Sequence, residues 1–117
     1  MRHRPPWRRQ AEIQTVEFNG VKYTLCVGYY QNGDPAEVFI DGPAKHSGHT
    51  LDRESDDTCI LISVLLQCGR SARKIGESLS TEPTFEGDES PATLAKLICD
   101  HLAVPNLRLK EWSTIDH

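Results

Sequence analysis

A chain of 117 residues is the size of one domain, which excludes a multidomain synthase, a full doubly wound dehydrogenase or a (β/α)₈ barrel. Hydrophobic residues make up 38% and charged residues 26%, and the net charge is −4, so the body lacks the surplus of base that coating nucleic acid requires. No run approaches 18 consecutive apolar residues, and the start MRHRPPWRRQ has no apolar core of a signal peptide, so a cytoplasmic protein is expected.

Residues 1–10 hold Arg2, Arg4, Arg8 and Arg9 and no acid, leaving nine bases against all 17 acids in the remainder. Pro5 and Pro6 deny this stretch a helix, and it reads as a disordered basic arm ahead of a single α+β domain over 11–104. Two turn signals follow, Asn19-Gly20 and Asn32-Gly33. A two-residue turn at Asn19-Gly20 pairs Phe18 with Val21 and Val16 with Tyr23, and sets Glu17 opposite Lys22 and Thr15 opposite Thr24. The second turn returns Ala36 to Ile40 along the middle strand, so that Leu25 and Val27 share a face with Val38 and Ile40. The expectation is a three-stranded antiparallel meander over roughly 12–41. Its opposite face carries Cys26, Gly28, Tyr30 and Phe39, more apolar than a solvated face, and Cys26, Tyr30 and Phe39 are the expected contacts of a homo-oligomer.

Residues 42–53 read as a polar loop. Ser55 is the expected N-cap of a buried helix through Cys59 to Leu66, with Gly69 ending it. Ser71 is placed to cap a short second helix, 80–89 reads as an acidic linker, and Ser90-Pro91 as the cap and first turn of a third helix bearing Leu94, Leu97, Ile98 and Leu102. Residues 105–117 form a tail without clear period. About three helices on one face of a small antiparallel sheet are the predicted architecture.

Phosphate-loop, dinucleotide, nucleophile-elbow and metalloprotease motifs are absent. Cys26, Cys59, Cys68 and Cys99 form no C-x-x-C pair and sit among apolar neighbours, the setting of packing residues rather than thiolate nucleophiles. Cys59 and Cys68 lie about half a turn out of phase on a helix and face opposite ways. No catalytic residue, cofactor or metal site is therefore expected; His46 and His49 alone do not make a metal site. The densest set of donors is the loop Lys45, His46, Ser47, Gly48, His49, with Arg53 behind it. Lysine, arginine and serine donors on a glycine-bearing loop that enters a helix suit a phosphate or carboxylate. Lys45, His46, Ser47, His49 and Arg53 are the candidate ligand-binding residues. Residues 61–79, with Arg70, Arg73 and Lys74 after Gly69, offer the alternative of a helix-turn-helix-like DNA-binding regulator, which the acidic body opposes.

The run from Gly28 through Gly33, Ala36-Glu37 and Val38-Phe39-Ile40, and the later Leu61-Ile-Ser-Val-Leu-Leu-Gln-Cys-Gly69, resemble the "G…G-x-x-AE-[VI]-F-[IL]" and "LIS-x-x-LQ-x-G" patterns of the TSCPD domain. That domain stands at the C-terminus of adenosylcobalamin-dependent (class II) ribonucleotide reductases and alone in short bacterial and prophage proteins. The resemblance runs over roughly residues 13–80. The Thr-Ser-Cys-Pro-Asp segment that names the domain is absent, so no cysteine role carries over. What the resemblance implies is a non-catalytic accessory module, binding a nucleotide-like or other anionic ligand or a protein partner in nucleotide metabolism. For a standalone prophage member, the corresponding expectation is sequestration of a nucleotide.

Overall fold

The computed structural model describes residues 2–42 and 50–104. Strands β1 (Ala11–Phe18), β2 (Val21–Tyr29) and β3 (Pro35–Asp41) form one antiparallel sheet in the order β1-β2-β3. The Asn19-Gly20 turn closes as its sequence dictates, with both residues at positive φ (51° and 77°), as a type I′ turn requires. The resulting register is the predicted one, Phe18 opposite Val21, Glu17 opposite Lys22, Val16 opposite Tyr23 and Thr15 opposite Thr24. The second turn uses different chemistry. Tyr30 accepts from the Gly33 N–H and donates its own N–H to the Asp34 carbonyl, with only Gly33 at positive φ (89°). This is the three-residue hairpin loop with a left-handed glycine. Beyond it the register slips by one between Gly28 and Tyr29, leaving Ala36 as a bulge residue.

Helix α1 (Thr50–Gln67) lies against β3. It begins five residues before Ser55, so Ser55 lies within the helix, not at its N-cap, and Arg53 belongs to the helix rather than to the preceding loop. The acidic residues Asp56 and Asp57 thus fall in the second turn. At its other end, the Arg70 N–H bonds the Leu65 carbonyl, the Gly69 N–H bonds the Leu66 carbonyl, and Gly69 has φ +93°. That is a Schellman motif with Gly69 at C′. Ser71 caps α2 (Ala72–Glu77) by accepting from the Lys74 N–H at 3.2 Å.

The stretch 80–89 is not a linker. It contains β4 (Thr81–Pro83) and the turn into β5 (Glu89–Pro91), a small antiparallel hairpin around Gly87 at φ +89°. Pro91 ends β5, and Thr93, not Ser90, caps α3 (Leu94–Ala103) by accepting from the Lys96 N–H. The fold is α+β. Its core lies between the inner sheet face (Leu25, Val27, Val38, Ile40), the buried face of α1 (Cys59, Ile62, Leu66), Ala72 of α2, and Ile98, Cys99 and Leu102 of α3. Among the described residues no helix is long and apolar enough to cross a membrane.

Candidate functional site

The residues of the two sequence patterns build the scaffold. Glu37 projects from the outer sheet face and lies directly over Gly28. A Cβ at position 28 would meet Glu37 Oε2 at 2.6 Å and Cγ at 2.8 Å, so only glycine admits this carboxylate. Arg9 closes the arrangement, its Nε donating to Glu37 Oε2 at 2.5 Å, with the Glu37 side chain only 12% exposed. A nearly buried carboxylate is stabilised by such a charge-assisted partner and destabilised by its loss.

Ser63 and Gln67 are four apart on α1 and therefore share one helix face. That face lies along the β3 edge. Ser63 Oγ accepts the Val38 N–H at 2.9 Å and reaches the Val38 carbonyl at 3.3 Å, while Gln67 Nε2 donates to the Ala36 carbonyl at 3.0 Å. The serine and glutamine of the "LIS-x-x-LQ" pattern thus satisfy backbone groups that an edge strand leaves bare. Gln67 also accepts from Arg2 Nε through Oε1 at 2.5 Å, and its backbone carbonyl accepts the His3 N–H. Tyr30 donates its hydroxyl to the His3 carbonyl. Residues 2–10, expected as a disordered arm, therefore contribute contacts to α1, β3 and the loop after β2. Of the four arginines of this stretch, Arg2 and Arg9 engage side chains of the body.

A cleft of about 950 Å³ opens where the C-terminal end of α1, the start of α2, the end of α3 and the loop after β2 converge. Its polar lining includes Arg70, Arg73, His101, Gln14, Tyr30 and Asn32. Arg73 forms an ion pair with Glu77 at 3.0 Å, whereas Arg70 has no carboxylate within 4.0 Å among the described residues. His101 donates through Nε2 to Gln14 Oε1, and Gln14 Nε2 donates to Glu12 Oε2 at 2.8 Å, so a polar chain runs from α3 across the inner face of β1. Burial pushes the Tyr30 phenol up, Cys68 and Glu37 add to the rise, and Arg2 opposes it.

The predicted site residues separate into three places. Lys45, His46, Ser47 and His49 lie outside the described residues. Arg53 is exposed in the first turn of α1, 13 positions before Leu66, or about 20 Å along the helix from the cleft. Cys26 and Phe39 do come together: Ile13, Cys26 and Phe39 form one row across the outer sheet face, with Phe39 54% exposed. Tyr30 does not join them. The chain has left β2 by then, and the Tyr30 hydroxyl faces the N-terminal stretch. Among the cysteines, Cys59 is buried and Cys68 exposed, as their helical phase requires, and all four are free. Burial pushes the Cys59 thiol up to about 12, helped by Asp56 and Cys99, and the Cys99 thiol up to about 11, helped by Asp100. Both are thiols at neutral pH. His101 and Gln14 were not legible as cleft residues, because they lie 87 positions apart and meet only through the packing of α3 on β1.

No curated protein and no solved structure matches the chain. A family model does, and it spans residues 1–102, taking in the N-terminal stretch with the sheet and all three helices. The chain belongs to the TSCPD domain family.

Proposed function

We propose that this TSCPD chain is a non-catalytic, oligomeric binding module, of the accessory kind found with ribonucleotide reductases, that takes an anionic, nucleotide-like ligand. The observation that carries the reading is the cleft at the end of α1, where Arg70, Arg73 and His101 line a concavity of about 950 Å³ and Arg70 has no carboxylate partner among the described residues. A guanidinium presents a planar fork of donors suited to phosphate or carboxylate, and the surrounding apolar wall from Leu66, Ala72 and Leu102 offers a surface for a base or ring. Burial that keeps Cys59 and Cys99 as thiols speaks against these two side chains as nucleophiles. The helix-turn-helix alternative loses support from α2, which has six residues and whose Arg73 and Lys74 both lean on Glu77.

The test is thermal shift with a panel of nucleotides and inorganic phosphate, beside a DNA mobility shift at physiological salt. A nucleotide should raise the melting temperature, Arg70→Ala with Arg73→Ala should abolish that rise, and DNA should not be retarded. Loss of the rise in Lys45→Ala with Arg53→Ala instead would move the site to the loop. No rise with any anion would refute the ligand, and retarded DNA would restore the regulator.

A further inference from the structure

We propose that the outer edge of β1 is the surface on which a second copy of this chain docks, by antiparallel strand pairing about a two-fold axis beside Gln14. The inference names the interface of the oligomer proposed above. It rests on that oligomeric reading and not on the ligand.

Backbone geometry leaves this edge open. In the β1–β2 hairpin the hydrogen-bonded pairs are Phe18–Val21, Val16–Tyr23, Gln14–Leu25 and Glu12–Val27, alternating outward from the two-residue turn. The N–H and C=O groups of Ala11, Ile13, Thr15 and Glu17 consequently point away from β2. No hydrogen bond to these groups occurs among the described residues. The strand is eight residues long, Ala11–Phe18 contains no lysine, proline or glycine, and its pairing with β2 has no bulge, so of the usual guards of a free edge it carries only the charges of Glu12 and Glu17.

The strand also complements itself. Its only charges are Glu12 and Glu17. Paired antiparallel with a second copy and centred on Gln14, Ala11 faces Glu17, Ile13 faces Thr15 and Glu12 faces Val16. No like charges oppose one another, and all four outward residues exchange backbone bonds. Ile13, 75% exposed in the single chain, becomes a diagonal neighbour of its counterpart at about 7–8 Å, within contact range of its side chain. The outer row Ile13–Cys26–Phe39 is thereby continued across the joined sheets. Because Gln14 lines the cleft and holds His101, the same axis brings the walls of the two clefts together.

The experiment is the solution mass of the full chain against concentration, by light scattering behind size exclusion, with two variants. Thr15→Pro removes an N–H that points outward, so it leaves the β1–β2 ladder whole and blocks only the edge. Gln14→Cys, with Cys26→Ser and Cys68→Ser to silence the other accessible thiols, places two cysteines in a non-hydrogen-bonded antiparallel pair about 4.5 Å apart at Cα, within disulfide range. The expected results are twice the 13.1 kDa chain mass for the wild type, 13.1 kDa for Thr15→Pro with its circular dichroism retained, and a covalent dimer from Gln14→Cys on oxidation. A wild type of 13.1 kDa at high micromolar concentration overturns both this interface and the oligomeric reading. A wild-type dimer that survives Thr15→Pro, or that dissociates only with Phe39→Lys, overturns the edge and leaves the oligomer standing through the sheet face. A Gln14→Cys variant that stays uncross-linked overturns the pairing even if Thr15→Pro does not fold.

Discussion

Along β3, Ser63 and Gln67 reach down from α1 to bond Val38 and Ala36, and Arg2 and His3 bond Gln67 in turn. Along β1, Ala11, Ile13, Thr15 and Glu17 present their outward backbone groups with no such partner among the described residues. Among the described residues, one sheet thus closes one edge with its own helix and leaves the outward groups of the other edge in a regular, unpaired row. The difference shows which parts of the sequence pattern hold the domain together: the glycine, the glutamate, the serine and the glutamine all serve the β3 side. The cleft with Arg70 and His101 lies where α3 meets β1.

The largest effect should come from opening the closed edge. Ser63→Ala with Gln67→Leu leaves the Val38 N–H and the Ala36 carbonyl without partners inside the fold, at about 1–3 kcal/mol each. Thermal unfolding should fall by on the order of 10 °C, and the unguarded β3 edge should make the protein prone to aggregate. Arg9→Ala strips the partner from Glu37, whose side chain is 12% exposed, and should cost about 2 kcal/mol in urea titration. Gly28→Ala tests the same cluster from the other side, since the new methyl group must displace the Glu37 carboxylate. Gly20→Val meets no atoms within 4 Å, so its cost is the strain of positive φ alone, about 1–2 kcal/mol by calorimetry. Thr15→Pro should be the mildest. It removes no β1–β2 bond, so its cost to the monomer is the restriction on φ, about 1 kcal/mol, while the solution mass changes.

The meander was legible because its determinants are local. Asn19-Gly20 sets both the turn type and, through the period of two, every pair from Phe18–Val21 onward. The helix ends that depend on a glycine or a nearby hydroxyl, Gly69 and Ser71, were equally readable. The hairpin over 81–91 was missed because its glutamates read as a solvated linker. Yet Phe85-Glu86-Gly87-Asp88 closes with the same bonds as Gln31-Asn32-Gly33-Asp34, and the shared Gly-Asp ending was a signal. The start of α1 at Thr50 was missed because Ser55 offered a plausible cap in a stretch without apolar period. At the candidate site, the arginines after Gly69 were visible but were read only as a DNA-binding face. His101 and Gln14 required tertiary packing to meet, which no local pattern encodes.

Residue-resolved amide hydrogen exchange across a dilution series tests the contrast between the two edges most directly, because Val38 and Thr15 report the outward N–H of β3 and β1 in the same sample. The account predicts that Val38 is protected at every concentration, held by Ser63, while Thr15 is protected at high concentration and exchanges freely on dilution. Fast exchange at Val38, or protection at Thr15 that dilution does not change, would contradict it.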